Sequence, residues 1–309
     1  MLATLAWSRE GVWGYVRSFV ALQGVGASRI PVSTAPRRAE RYTLGYSPPE
    51  QERLARRTAA KASFLLPHLQ PGMRLLDCGC GPGSITVGLA QVVAPGIAVG
   101  VDLEARQIVA ARRLAADAGR ANARFLVADA YALPFPDHAF DAAFAHTLLF
   151  HLSDPLPALR EMRRVLRPGG VVGVRDPDYG AELWAPTTPL LEEARALLLR
   201  VAAHDGARPD GARHYRRVLL DAGFVRPVAY AFALSQGEPE TVARGAQEVA
   251  ARLLSPHFVT TVVGQGLGTQ EALEAMAAEV HQWGRRSDAF HARLDCAALG
   301  WVEDSAPGR

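Results

Sequence analysis

The chain has almost no lysine. Lys61 stands alone among 34 cationic residues in 309, and the other 33 are arginine. With alanine abundant, this reads as the codon bias of a GC-rich genome. The arginines are spread through stretches such as 105–120 and 160–167, and the net charge is only +3. A nucleic-acid-binding surface is not implied. Cysteine is scarce too. Cys78, Cys80 and Cys296 make a low, odd count, which argues against a disulfide framework and fits a reducing, cytoplasmic compartment. No second cysteine pair or histidine cluster completes a metal site around Cys78 and Cys80. No stretch approaches the ~20 uncharged apolar residues of a spanning helix, so stable membrane insertion is not expected. What remains is ordinary globular composition, 49% hydrophobic and 21% charged, enough for one large domain or two small ones.

Residues 1–40 stand apart. Arg9 and Glu10 sit where the apolar region of a signal peptide should begin, and Arg17 interrupts the partly apolar stretch 11–28. Residues 29–40 read as a disordered tether. An added helix, a weak targeting segment and an over-long translation start all remain open for this extension.

From there the pattern becomes rhythmic. A helix is expected over 50–66, ended by Pro67 and Pro71-Gly72. Strands follow at about 73–77, 97–101, 124–127, 140–145 and 171–174. Helices at about 84–94, 104–118 and 155–166 lie between them. Strands alternating with helices imply βαβ units and a parallel sheet. Beyond residue 180 the rhythm changes. Helices are expected at 189–204, 211–222, 239–255 and 270–284, with strands at 225–234 and 290–299. Two terminal strands separated by helices point to a helical insertion in a final β-hairpin.

The most informative stretch is Leu75-Leu76-Asp77-Cys78-Gly79-Cys80-Gly81-Pro82-Gly83-Ser84. A short apolar run ends in a carboxylate, three alternate glycines follow, and a helical pattern begins. Ligands bind at the carboxyl ends of strands in open α/β sheets. The glycines let a ligand press against bare backbone. A dinucleotide fingerprint is the nearest alternative, but its third glycine position holds Ser84, and Asp77 would repel a pyrophosphate. S-adenosylmethionine suits the turn better, because Asp77 can accept from its ammonium in a charge-assisted hydrogen bond. Asp102 and Asp129 fall at the ends of the next two strands. Asp102 follows Asp77 by 25 residues, about the spacing at which Rossmann-type folds place an acid on ribose hydroxyls. Asp129 is placed to accept from an adenine amino group, with the Ala130 backbone donating to a ring nitrogen. Each acid alone could equally cap a turn or helix; all three in register with the glycine turn make coincidence improbable.

These residues resemble a class I S-adenosylmethionine-dependent methyltransferase of the ubiquinone/menaquinone-biosynthesis type. The resemblance rests on Leu75–Gly83, Gly100-Val101-Asp102, Ala128-Asp129-Ala130, Leu133-Pro134-Phe135-Pro136 with Phe140-Asp141, and Arg164–Gly170. It implies a three-layer αβα Rossmann-like fold, with a mostly parallel seven-stranded sheet, an antiparallel last strand and a helical lid at about 182–204 and 239–284. It divides the chain into an extension (1–40), a cofactor-binding core (41–180) and a C-terminal completion with lid (181–309). It implies S-adenosylmethionine contacts from Asp77, Gly79, Cys80, Gly81, Gly83, Asp102, Leu103, Asp129, Ala130 and His146. A looser match over Tyr42–Ser47 places Tyr42 near the methionine end.

The implied reaction is methyl transfer to O, N or C of a small molecule. An acceptor that carries a proton needs a base. His146 and His151 are the candidates in the catalytic role, with Asp176, Asp178 and Tyr179 nearby; His146 could equally line the cofactor pocket. The stretch Ala145–Phe150 lacks the acid-or-amide, Pro-Pro and aromatic motif of enzymes acting on nucleic-acid bases. Only Cys296 lies outside the glycine turn, too few thiols for arsenite methylation. The rival reading is a non-catalytic S-adenosylmethionine-binding scaffold or regulator.

Overall fold

The computed structural model describes residues 54–304. Tyr42 and the 1–40 extension lie outside the described residues. Seven strands form one sheet: β1 (Arg74–Cys78), β2 (Ile97–Asp102), β3 (Ala123–Val127), β4 (Phe140–His146), β5 (Leu166–Ala185), β6 (Val225–Gln236) and β7 (Phe290–Trp301), in spatial order 3-2-1-4-5-7-6. Strands β3, β2, β1, β4 and β5 pair in parallel, and β7 runs antiparallel to both neighbours. The expected architecture is therefore present, antiparallel last strand included.

The central strands are apolar on both faces because helices cover both. On one face lie α1 (Ser84–Val93) and α2 (Ala105–Asp117), with Leu75, Leu89, Ile108 and Phe144 at their core. On the other lie α3 (Pro155–Val165) and α5 (Tyr215–Asp221), around Leu76, Leu159, Met162 and Leu219. Helix α3 shows how the sequence builds such an element. Asp154 caps it by accepting from the Leu156 amide at 3.0 Å, and Pro155 occupies the first turn, where no amide is needed. Ala158, Leu159, Met162 and Val165 then bury one stripe. Arg164, on the same helix, donates to the carbonyls of Phe135 and Leu133 at 2.8 and 3.0 Å, fixing the loop that feeds β4.

The remaining helices, α4 (Pro189–His204), α6 (Pro239–Leu253), α7 (Pro256–Gly264) and α8 (Gln270–Trp283), share a third core around Leu197, Leu253, Leu273 and Trp283. Helices α6 to α8 fall between β6 and β7, the insertion expected in the final hairpin. They sit on an arm of the sheet: β4 ends opposite Arg175, and from Asp176 to Ala185 β5 is paired with β7 alone. Trp283 of α8 donates to the Pro186 carbonyl at 2.8 Å and packs on Trp184, with ring centroids 4.7 Å apart. This anchors the helices to the arm.

Three elements differ from expectation. The helix expected over 50–66 is broken, because Thr58 is extended (φ −132, ψ 171) and its hydroxyl caps a short 3-10 turn over Ala59–Ala62. Strand β5 runs well past Val174, so residues 182–185, expected as helix, are strand. Helix α7 lies within the expected lid span of 239–284 but in the stretch between the helices expected at 239–255 and 270–284.

Candidate functional site

The turn after β1 is held against β2. The Gly79 and Cys80 amides both donate to the Val101 carbonyl, at 2.8 and 2.9 Å, and the Gly81 amide donates to Asp102 Oδ2 at 2.9 Å. Gly79, Gly81 and Gly83 have φ of 75°, 53° and 80°, a region that costs other residues about 1–2 kcal/mol. A side chain on Gly83 would also lie 2.7 Å from Ala111 Cβ and 2.9 Å from the Phe125 ring, whereas one on Gly81 would meet nothing within 4 Å. Gly83 is thus locked by packing, and Gly81 presents bare backbone to open space. Helix α1 starts directly behind, capped by Gly83 with no side-chain hydrogen bond.

Asp77 is 2% exposed, and its Oδ2 accepts from Thr86 Oγ1 at 2.5 Å. Burial pushes its pKa up to about 7; the Thr86 hydrogen bond opposes this and the Asp102 charge adds to it. A carboxyl so placed gains most from a cationic partner. The Asp102 carboxylate spans the next loop, Oδ2 on the Gly81 amide and Oδ1 on the Glu104 amide at 2.9 Å. Burial raises its pKa, the two amides acting against the rise. A carboxylate has about four lone-pair positions, so acceptor capacity remains for a diol. Leu103 beside it is 56% exposed, an apolar surface at the strand end. Asp129 Oδ1 accepts from the Tyr131 amide at 2.8 Å, which folds Asp129-Ala130 into a turn, and the Ala128 amide donates to the Asp102 carbonyl at 3.0 Å. The structure therefore gathers Asp77, Gly79, Cys80, Gly81, Gly83, Asp102, Leu103, Asp129 and Ala130 along the carboxyl edge of β1, β2 and β3. Cys78 and Cys80 are buried and free, and no metal-binding cluster occurs among the described residues.

His146 ends β4, is 6% exposed, and sits with Nδ1 3.1 Å from Thr147 Oγ1. Its ring stacks on Phe144 at 6.3 Å. Thr147 has φ 54°, an unusual state for a β-branched residue and typical of functional turns. Asp176 explains why the turn holds. It is 1% exposed and accepts from the Leu148 amide at 3.1 Å, the Phe150 amide at 2.7 Å and the Tyr215 hydroxyl. Asp176 is thus committed to positioning the 147–151 segment, which includes His151. Burial raises its pKa to about 6, with those hydrogen bonds opposing. Asp178 is likewise committed, to the Arg213 fork at 2.6 and 2.7 Å. Sequence reasoning missed one cluster: Lys61, Arg175, Arg293 and Asp295 meet at the end of the sheet. Their wide separation along the chain leaves no local signature, and the only available signal was the solitary lysine.

A glycine cradle with three strand-end acids on this sheet is the arrangement of a class I methyltransferase fold. Residues 76–174 match the methyltransferase domain family. A malonyl-acyl-carrier-protein O-methyltransferase from Halorhodospira halophila is 30% identical over 243 residues, 73% of this chain and 78% of that protein. The chain belongs to this methyltransferase family. An uncharacterised methyltransferase of Schizosaccharomyces pombe is 33% identical over 173 residues, covering 53% of this chain and 61% of its own. The ubiquinone/menaquinone biosynthesis C-methyltransferase of Hahella chejuensis is 37% identical over 128 residues, 41% of this chain and 49% of that one. The chain spans about half to three-fifths of the length of several curated relatives it matches. Among solved structures, a Bacillus halodurans C-125 protein superposes with TM-score 0.55 at 17% identity, covering 79% of this chain and 98% of its own. That likeness speaks to the fold.

Proposed function

We propose that the protein transfers the S-adenosylmethionine methyl group to O, N or C of a small-molecule acceptor. The observation that carries this reading is the buried Asp77 carboxyl behind an open glycine turn, flanked by Asp102 and Asp129. Asp77 takes the ammonium of the methionine part. Asp102 takes the ribose hydroxyls, and Asp129 with the Ala130 amide takes the adenine edge, with Leu103 against its face. When bound, the cofactor supplies an electrophilic methyl for in-line displacement. The chain's own contribution is positioning and water exclusion, which alone can be worth about 7–11 kcal/mol. His146 takes the acceptor's proton where there is one, and His151 lines the same loop. The helices of the C-terminal half act as the lid over the acceptor. No helix among the described residues is long and apolar enough to cross a membrane, and free thiols fit a cytoplasmic setting.

The test is incubation with methyl-labelled S-adenosylmethionine and metabolite extracts, followed by mass spectrometry. A labelled small-molecule product is the expected result. Binding of the cofactor with no product from many extracts favours a non-catalytic binding protein.

A further inference from the structure

One charged cluster lies outside the cofactor cradle yet borders it. Arg175 of β5 is the register partner of His146 on β4, and register partners in adjacent strands project to the same face. On the far side of β5, Asp295 of β7 sits opposite Pro177, and Phe232 of β6 sits opposite Asp295. Asp295 is 2% exposed and Arg175 4%. Arg175 donates from Nε to Asp295 Oδ2 at 3.2 Å and from Nη1 to the Lys61 carbonyl at 3.2 Å, and its guanidinium lies 4.2 Å from the Phe232 ring centroid.

Two more cations crowd the same carboxylate from its partly open side. Lys61 Nζ stands 3.6 Å from Asp295 Oδ2, too far for a hydrogen bond. Arg293 Nη2 stands 3.3 Å from Oδ1, and Arg293 lies over Tyr179 at 5.4 Å. Arg293 Nε is buried and makes no hydrogen bond. The Lys61 and Arg293 side chains are 27% and 22% exposed. Arg175 alone already pairs with Asp295. Among the described residues, Lys61, Arg175 and Arg293 all lie within 4 Å of the one Asp295 carboxylate, in a partly desolvated place where unmatched charge is expensive. Burial and the neighbouring arginines pull the Lys61 pKa down while Asp295 holds it up.

We propose that Lys61, Arg175 and Arg293 form an anion subsite for the methyl acceptor, so that the acceptor carries a carboxylate or phosphate group. Lys61 and Arg293 supply the donors, and Arg175, clamped on Asp295 and Phe232, holds them in place. This rests on the reading that the carboxyl edge of the sheet binds an acceptor at all. The arrangement fixes which end of the acceptor lies next to His146 in the sheet.

Because Lys61 is the only lysine, its ammonium can be followed by reductive methylation and peptide mass. Inorganic phosphate and benzoate are the probes, with benzamide as the neutral match. Lys61 labelling slows with the anions and is unaffected by benzamide. Calorimetric affinity for the anions falls by about tenfold in Lys61→Met and in Arg293→Gln, as expected for loss of one charge-assisted contact. It rises in Asp295→Asn, which removes the competing carboxylate. If Asp295→Asn fails to fold, the two partly exposed positions still decide. Wild-type protein that binds S-adenosylmethionine but shows no anion protection, or equal protection by benzamide, overturns the subsite. Wild-type protein that protects Lys61 with anions yet does not bind S-adenosylmethionine overturns the cofactor reading instead.

Discussion

Asp77→Asn keeps the shape of a buried side chain and removes its charge. In the free protein, burial holds the Asp77 pKa at about 7, well above the ordinary carboxylate range. The folded state therefore binds this proton more tightly than the unfolded chain, and stability falls as pH rises from about 4 to about 7. The ionised form at pH 8 costs a few kcal/mol by the same linkage. Asp77→Asn removes that cost, so the free variant melts at the same temperature or higher at pH 8. Cofactor affinity moves the other way. A hydrogen bond between charged groups is worth about 1.5–3 kcal/mol, so S-adenosylmethionine should bind roughly 10- to 100-fold more weakly. Pairing also requires the ionised carboxylate. Wild-type affinity should therefore weaken about tenfold per pH unit below the pKa and level off above it, while the variant shows no such limb. Calorimetry between pH 5.5 and 8.5, with thermal unfolding of the free proteins alongside, reads both effects. Undiminished affinity in the variant, or a pH limb that survives the substitution, refutes the role given to Asp77.

Three further outcomes are expected. Gly83→Ala forces a left-handed alanine into the Ala111 and Phe125 side chains, so it should lose about 1–3 kcal/mol in urea unfolding. Tyr215→Phe removes the hydroxyl donor to Asp176; about 1–3 kcal/mol of stability should go, and the Asp176 pKa should rise further, as NMR titration of its carboxyl would report. His146→Asn, assayed on an acceptor that carries a proton, should drop kcat about 100-fold or more, as a steady-state assay would report.

The glycine turn and its strand-end acids were legible in the sequence because their signals are local. A strand end, three glycines and a strand-end acid lie within ten residues, and the next two acids repeat the βα rhythm. The other features depend on long-range pairing. Asp176-Pro177-Asp178 looks like the end of a strand, since proline removes a ladder donor. In the fold β7 pairs with this stretch and carries β5 on to Ala185. The helical spacing over 50–66 is real, yet the Thr58 hydroxyl captures the Ala60 amide and breaks it. Asp176 and Asp178 read as candidate bases because sequence does not show Tyr215 or Arg213 arriving from a later helix and turn. The cation cluster joins positions 61, 175, 293 and 295, which only the sheet brings together.

The most direct test is equilibrium titration of the intact protein with S-adenosylmethionine and, separately, with NAD. Saturable one-to-one binding of S-adenosylmethionine with no heat from NAD is the predicted result. Binding of NAD without S-adenosylmethionine would contradict the assignment of the turn at Asp77–Gly83.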